Sequence, residues 1–106
     1  MEVMDGEELL KQYASGERNF KGIILEGIDL TGANLSNANF TRANLRNAIL
    51  KDANLSGVNF REVNLEDAYL SGTNLSEANL IETSLVKANL AIYTVIDLVK
   101  FLVKLG

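Results

Sequence analysis

The 106-residue chain contains no cysteine, no histidine and no proline. Without cysteine it has no disulfide framework, no thiolate zinc site and no thiol nucleophile. Without histidine it lacks the commonest general base and the commonest side-chain metal ligand. No apolar run reaches the ~18 residues that span a bilayer. The start, Met1-Glu2-Val3-Met4-Asp5, is acidic and has no apolar stretch of the kind a secretory signal carries. These absences lead us to expect a cytoplasmic protein of one domain, residues 1–106, with no membrane partner. The net charge of −4 favours solubility and opposes direct binding to a nucleic-acid backbone.

What the chain does have is a repeat. Every fifth residue from Phe20 to Leu90 is Leu or Phe, fifteen positions without a miss. Two residues before each stands a small or β-branched residue, such as Ala33, Ile23, Val58 or Thr73; only Arg18, at the first position, breaks the set. The residue between them is usually Asn, as at 34, 44 and 54. On an α-helix a step of five turns about 140°, which scatters the leucines around the axis. On one continuous strand an odd step sends them to alternate faces. Within a unit, though, Ala and Leu are two apart and share a side, with Asn opposite, as in a short extended piece. The leucines stay on one side only if the chain turns once per unit. Gly22, Gly27, Gly32, Gly57 and Gly72, with Asn37, Asn47, Asp52 and Asp67, stand where that turn belongs. A chain that bends the same way every five residues winds into a solenoid filled by Leu and Ala.

Phe20, Phe40 and Phe60 are spaced by 20 residues, which predicts four units per coil and rings stacked one above another. The units then make about three and a half coils, spaced by roughly 4.7–4.9 Å as hydrogen-bonded strands are. The pattern in Ala33-Asn34-Leu35-Ser36-Asn37, Ala43-Asn44-Leu45-Arg46-Asn47 and Ala53-Asn54-Leu55-Ser56-Gly57 resembles the pentapeptide-repeat family, and the resemblance covers residues 18–91. It implies an all-β solenoid, a right-handed quadrilateral β-helix; the handedness comes from the resemblance alone.

An open solenoid needs caps, because its ends expose apolar side chains and unpaired backbone. Residues 5–15 predict an N-terminal capping helix: Asp5 as N-cap, Glu8 three residues on, Met4 placed to staple Leu9, and Gly16 as the stop. Leu9, Leu10, Tyr13 and Ala14 are its expected apolar face. Residues 92–105 lose the period of five. Tyr93, Asp97, Lys100 and Lys104 are spaced 4, 3 and 4 apart, which predicts a C-terminal capping helix. Its apolar arc is wider than one coil end requires. Val99 and Leu102 therefore serve either in the cap or in a homodimer through the C-terminal helix. A membrane-surface helix is the third reading, opposed by the few basic residues on the polar side.

Folded onto four columns, Asn19, Asn39, Asn59 and Asn79 stack, as do Asn34, Asn54 and Asn74, and the expected role is amide ladders that keep the coils in register. Ser36, Ser56 and Ser76 form a hydroxyl column of turn residues. Glu26, Arg46 and Glu66 stack as an alternating charge ladder. Ile49 and Tyr69 occupy outward positions normally given to Asn, one coil apart, and are the best candidates for an exposed contact patch. Glu62 and Glu82 share a column but have no partner that makes them an acid–base pair. No catalytic residue, cofactor site or metal site is expected. The leading function is a non-enzymatic structural or protein-interaction module with a protein partner. The alternative, which the resemblance implies, is inhibition of a DNA-binding enzyme such as DNA gyrase by mimicking DNA. Residues 20–90 hold eight acidic and six basic residues, a net of −2, which is far below the charge density of a duplex.

Overall fold

The structure is a computed structural model that describes residues 2–90 and the backbone of residues 95–96 and 103–104. Four units make one coil. Residues twenty apart pair as parallel neighbours along the repeat, as in Asn34 with Asn54 and Asn54 with Asn74. Each side is only a few residues long, so it contributes one rung per coil rather than a long strand. Its hydrogen bonds still run coil to coil: Leu35 N–H donates to Asn54 O at 2.9 Å, Asn54 N–H to Ala33 O at 2.8 Å, and Asn37 N–H to Ser56 O at 2.9 Å.

The corners follow from backbone chemistry. In each, the residue after the turn donates to the Leu or Phe carbonyl three back, as Ala53 N–H does to Leu50 O at 3.0 Å. The second residue after each Leu has positive φ and the first does not, so these are type II turns. Gly, Asn and Asp suit that conformation. The solenoid also imposes it on Arg42, Glu62, Glu77, Glu82 and Lys87, which carry no turn preference of their own. At Gly57 two constraints coincide. Its φ is +66°, and an added Cβ would collide with the Asn37 side chain one coil before. Gly32, at φ +71°, has open space around it. Gly57→Ala is therefore expected to cost about 2 kcal/mol and Gly32→Ala about 1 kcal/mol, read from urea unfolding midpoints.

The interior is the predicted one. Leu35 and Leu75 are 0% exposed, and the inward Ala and Val positions from Ala33 to Ala78 are buried with them, while Ala88 is half-buried. Phe20 and Phe40 stack with centroids 5.4 Å apart; Phe40 and Phe60 meet edge-on at 5.8 Å. Thr73 and Thr83 take inward positions without leaving a polar group unpaired. Their hydroxyls donate to Leu50 O and Phe60 O, each at 2.7 Å. Leu90, the last of the series, departs from it at 41% exposed.

The N-terminal end is closed by a strand residue and a helix. Val3 pairs in parallel with Ile24, and helix α1 spans Gly6–Ala14. Asp5 Oδ1 accepts from Glu8 N–H at 2.8 Å, so the N-cap forms. The Glu8 carboxylate does not complete a capping box; it accepts from Gln12 at 3.1 Å. At the other end Gly16, φ +106°, lets Glu17 N–H reach Gln12 O and Gly16 N–H reach Tyr13 O, both at 3.0 Å, a Schellman closure. The buried face is narrower than expected. Leu9 is buried and Tyr13 half-buried, while Leu10, at 38%, and Ala14 are exposed. Tyr13 Oη donates to Ser36 O at 2.8 Å, tying α1 to the first coil. Arg18 explains its own exception. Its guanidinium lies 3.6 Å from the Tyr13 ring centroid and donates to Tyr13 O at 2.8 Å, so it seals the helix end rather than filling the coil.

The C-terminal end corrects the sequence reading. Strands β1 (Asn74–Leu75) and β2 (Thr83–Ser84) pair in parallel with β3 (Val95–Ile96) and β4 (Val103–Lys104), in the registers Asn74 to Val95 and Thr83 to Val103. A single capping helix over 92–105 is therefore not formed: four of its residues are extended. The last coil leaves a row of unpaired N–H and C=O groups, and extended chain pairs them where a helix, bonded within itself, does not. Val95, Ile96 and Val103 are β-branched and suit that role. Val99 and Leu102, with the dimer contact assigned to them, lie outside the described residues.

Candidate interaction face

A four-sided coil sorts the outward residues into columns, and three of those columns differ from their expected roles. The asparagines are not amide ladders. Each Asn Oδ1 accepts the N–H two residues ahead in its own unit, as Asn39 does from Thr41 at 3.0 Å and Asn74 from Ser76 at 3.0 Å. Among the described residues no Asn side chain bonds to the Asn one coil away. The column is thus a stack of Asx turns, each satisfying its own corner. The hydroxyl column joins it, with Ser56 Oγ and Ser76 Oγ donating to the same Asn oxygens at 2.8 and 2.7 Å. The charge ladder is also rearranged: Arg46 reaches Asp67 at 3.8 Å, not Glu26 or Glu66. Sequence reasoning missed the shorter pair, Arg42 Nε to Glu62 Oε2 at 2.8 Å, because both stand at corners where Gly or Asn was expected. Both pairs are exposed and contribute little each. Glu62 is thereby committed to Arg42, and no group of three acidic residues able to hold a metal occurs among the described residues.

The Ile49 and Tyr69 positions come together. Asp29, Ile49, Tyr69 and Asn89 pair in succession along one side of the solenoid. Ile49 is half-buried and Tyr69 is 52% exposed, so the tyrosine ring stands on the surface. Between them opens a shallow depression of about 400 Å³, lined by Ile49, Lys51, Tyr69, Ser71 and Asn89. Its floor is apolar and its rim carries an ammonium, a hydroxyl and an amide. One coil earlier in the same column, Asp29 Oδ1 accepts from Thr31 Oγ1 at 2.7 Å and Thr31 N–H at 3.0 Å. Those two bonds, the hydroxyl first and the amide second, hold the Asp29 carboxyl below its ordinary pKa.

The molecule is thus a β-solenoid whose flat sides present stacked side chains. It belongs to the pentapeptide repeat family, whose sequence profile matches residues 19–52 and 53–91 with eight copies. The coils of that family are right-handed and quadrilateral. Among solved structures it is similar to HetL from the cyanobacterium Nostoc sp. strain PCC 7120, a pentapeptide repeat protein involved in heterocyst differentiation regulation. Identity is 38% over 83% of this chain, with a TM-score of 0.71. The match covers 44% of HetL, so the chain spans less than half of that protein. A second pentapeptide repeat protein of Nostoc PCC 7120, alr5209, is 21% identical over 98% of this chain and 99% of its own length, with a TM-score of 0.40. A third, from the cyanobacterium Cyanothece 51142, is 24% identical over 94% of this chain and 98% of its own, with a TM-score of 0.43. No curated protein matches the chain.

Proposed function

We propose that the chain is a non-enzymatic protein-interaction module, and that the Ile49–Tyr69 side is its contact face. One observation carries this reading: an apolar depression with a polar rim sits where Ile49 and Tyr69 stand in positions that other units, such as Asp29, give to a residue serving its own turn. Exposed aromatic rings on rigid scaffolds are favoured anchors for protein partners, because ordering them costs little entropy. The regulatory role attached to HetL agrees with a binding task. DNA mimicry is the weaker reading, since acidic side chains such as Glu62 and Asp67 stand beside arginines rather than forming an unbroken negative track.

The test is capture of partners from an extract of the source cells. Ile49→Lys with Tyr69→Lys is expected to weaken capture about tenfold or more, as loss of a central anchor does. Lys21→Glu with Arg61→Glu, on another column, should leave it unchanged. Equal capture by all three proteins would remove this side from the interface.

A further inference from the structure

The depression has a feature that apolar contact does not use. Ten described units place an Asn or Asp oxygen on the corner N–H two residues ahead; Asn54 to Ser56 and Asp29 to Thr31 are examples. Where Ile49 and Tyr69 replace Asn, that oxygen is missing. The Lys51 and Ser71 N–H groups have no acceptor among the described residues, and neither does Ser71 Oγ. The two amides are stacked one coil apart, roughly 4.8 Å. Lys51 and Ser71 both line the depression, and Lys51 brings a positive charge to it.

The same side holds the template for what fits there. Thr31, Lys51 and Ser71 occupy equivalent corners on successive coils, linked by Gly32 N–H to Lys51 O at 2.8 Å and Asp52 N–H to Ser71 O at 2.9 Å. At the first corner a carboxylate oxygen accepts both the Thr31 amide and the Thr31 hydroxyl. Ser71 offers the same amide and hydroxyl pair with no carboxylate supplied by its own unit. We propose that Ser71 and Lys51 form a notch for a carboxylate, filled by an Asp or Glu side chain of a partner protein whose neighbouring apolar residue lies on Ile49 and Tyr69. The carboxylate accepts from Ser71 N–H and Oγ–H with one oxygen and from Lys51 N–H with the other. The Lys51 ammonium supplies the opposite charge. Asp52, whose carboxylate lies over the Gly72 backbone, stands at the same corner and opposes the incoming charge. This inference rests on the contact face proposed above and names what that face recognises.

The probes are acetyl-Leu-Asp-Leu-amide, its Asn counterpart and sodium acetate, each titrated into the ¹⁵N-labelled chain. The Asp peptide is expected to move the Ser71 and Lys51 amide protons downfield and to bind about tenfold more tightly than the Asn peptide. Tyr69→Asn supplies an intramolecular oxygen of the kind ten other units use, so it keeps the fold and is expected to abolish the Ser71 response. Equal binding of the two peptides, unmoved Ser71 and Lys51 amides, or no binding of the Asp peptide would overturn the notch. Acetate binding as tightly as the Asp peptide would overturn the assignment to a protein segment. None of these results touches the contact face itself, which fails only if Ile49→Lys with Tyr69→Lys leaves partner capture intact.

Discussion

Leu55→Asp is expected to leave the chain unfolded. Leu55 is fully buried in the middle of the solenoid. The change forfeits about 1.5–3 kcal/mol of apolar burial. It also puts a carboxylate among aliphatic groups with no basic side chain inside to pair it, a further cost of several kcal/mol. Domains of this size are stable by roughly 5–15 kcal/mol, so the sum removes most or all of it. The coil interior gives no escape, because flipping the side chain outward breaks both rungs that Asn54 makes with neighbouring coils. Circular dichroism should lose its cooperative melt, and sedimentation should show expanded or aggregated chain. A soluble variant melting as a single transition would contradict an inward Leu55.

Phe40→Ala is expected to cost about 3–5 kcal/mol, the range for emptying a buried phenyl site. Phe40 lies between Phe20 and Phe60 at 5.4 and 5.8 Å, so its removal ends both ring contacts and leaves a cavity bounded by two coils. Phe40→Leu is the control. The same column continues with Leu80, fully buried, so the coil accepts Leu at that position. Its loss should be less than half that of Phe40→Ala in urea melts. Equal losses would show that side-chain volume does not set the stability of the column.

These two sites were legible in the sequence because interior packing alone sets the period. A step of five with the second residue back small or β-branched at every unit after the first leaves few geometries, and Phe20, Phe40 and Phe60 marked the coil length. The candidate face was legible for the same reason: once the columns are drawn, Ile49 and Tyr69 stand out as units without Asn. The corner amides at Lys51 and Ser71, without an acceptor among the described residues, were hidden by a mistaken role for Asn. Read as a ladder between coils, a missing Asn removes one rung; as an Asx turn, it frees a donor. The C-terminal segment was misread for another reason. Tyr93, Asp97, Lys100 and Lys104 carry a helical spacing, but Val95 and Val103 lie beside an unpaired sheet edge, and the edge decides. The corner glutamates illustrate the same override, since nothing local favours positive φ at Glu62 or Glu82.

Nuclear Overhauser contacts along the repeat test the stacked coil most directly. The geometry predicts cross-peaks at a sequence separation of twenty: Asn39 to Asn59, Asn54 to Asn74, and the Ile49 side chain to the Tyr69 ring. A set dominated by separations of three and four across residues 20–90, with no Ile49–Tyr69 contact, would contradict the coil and the face built on it.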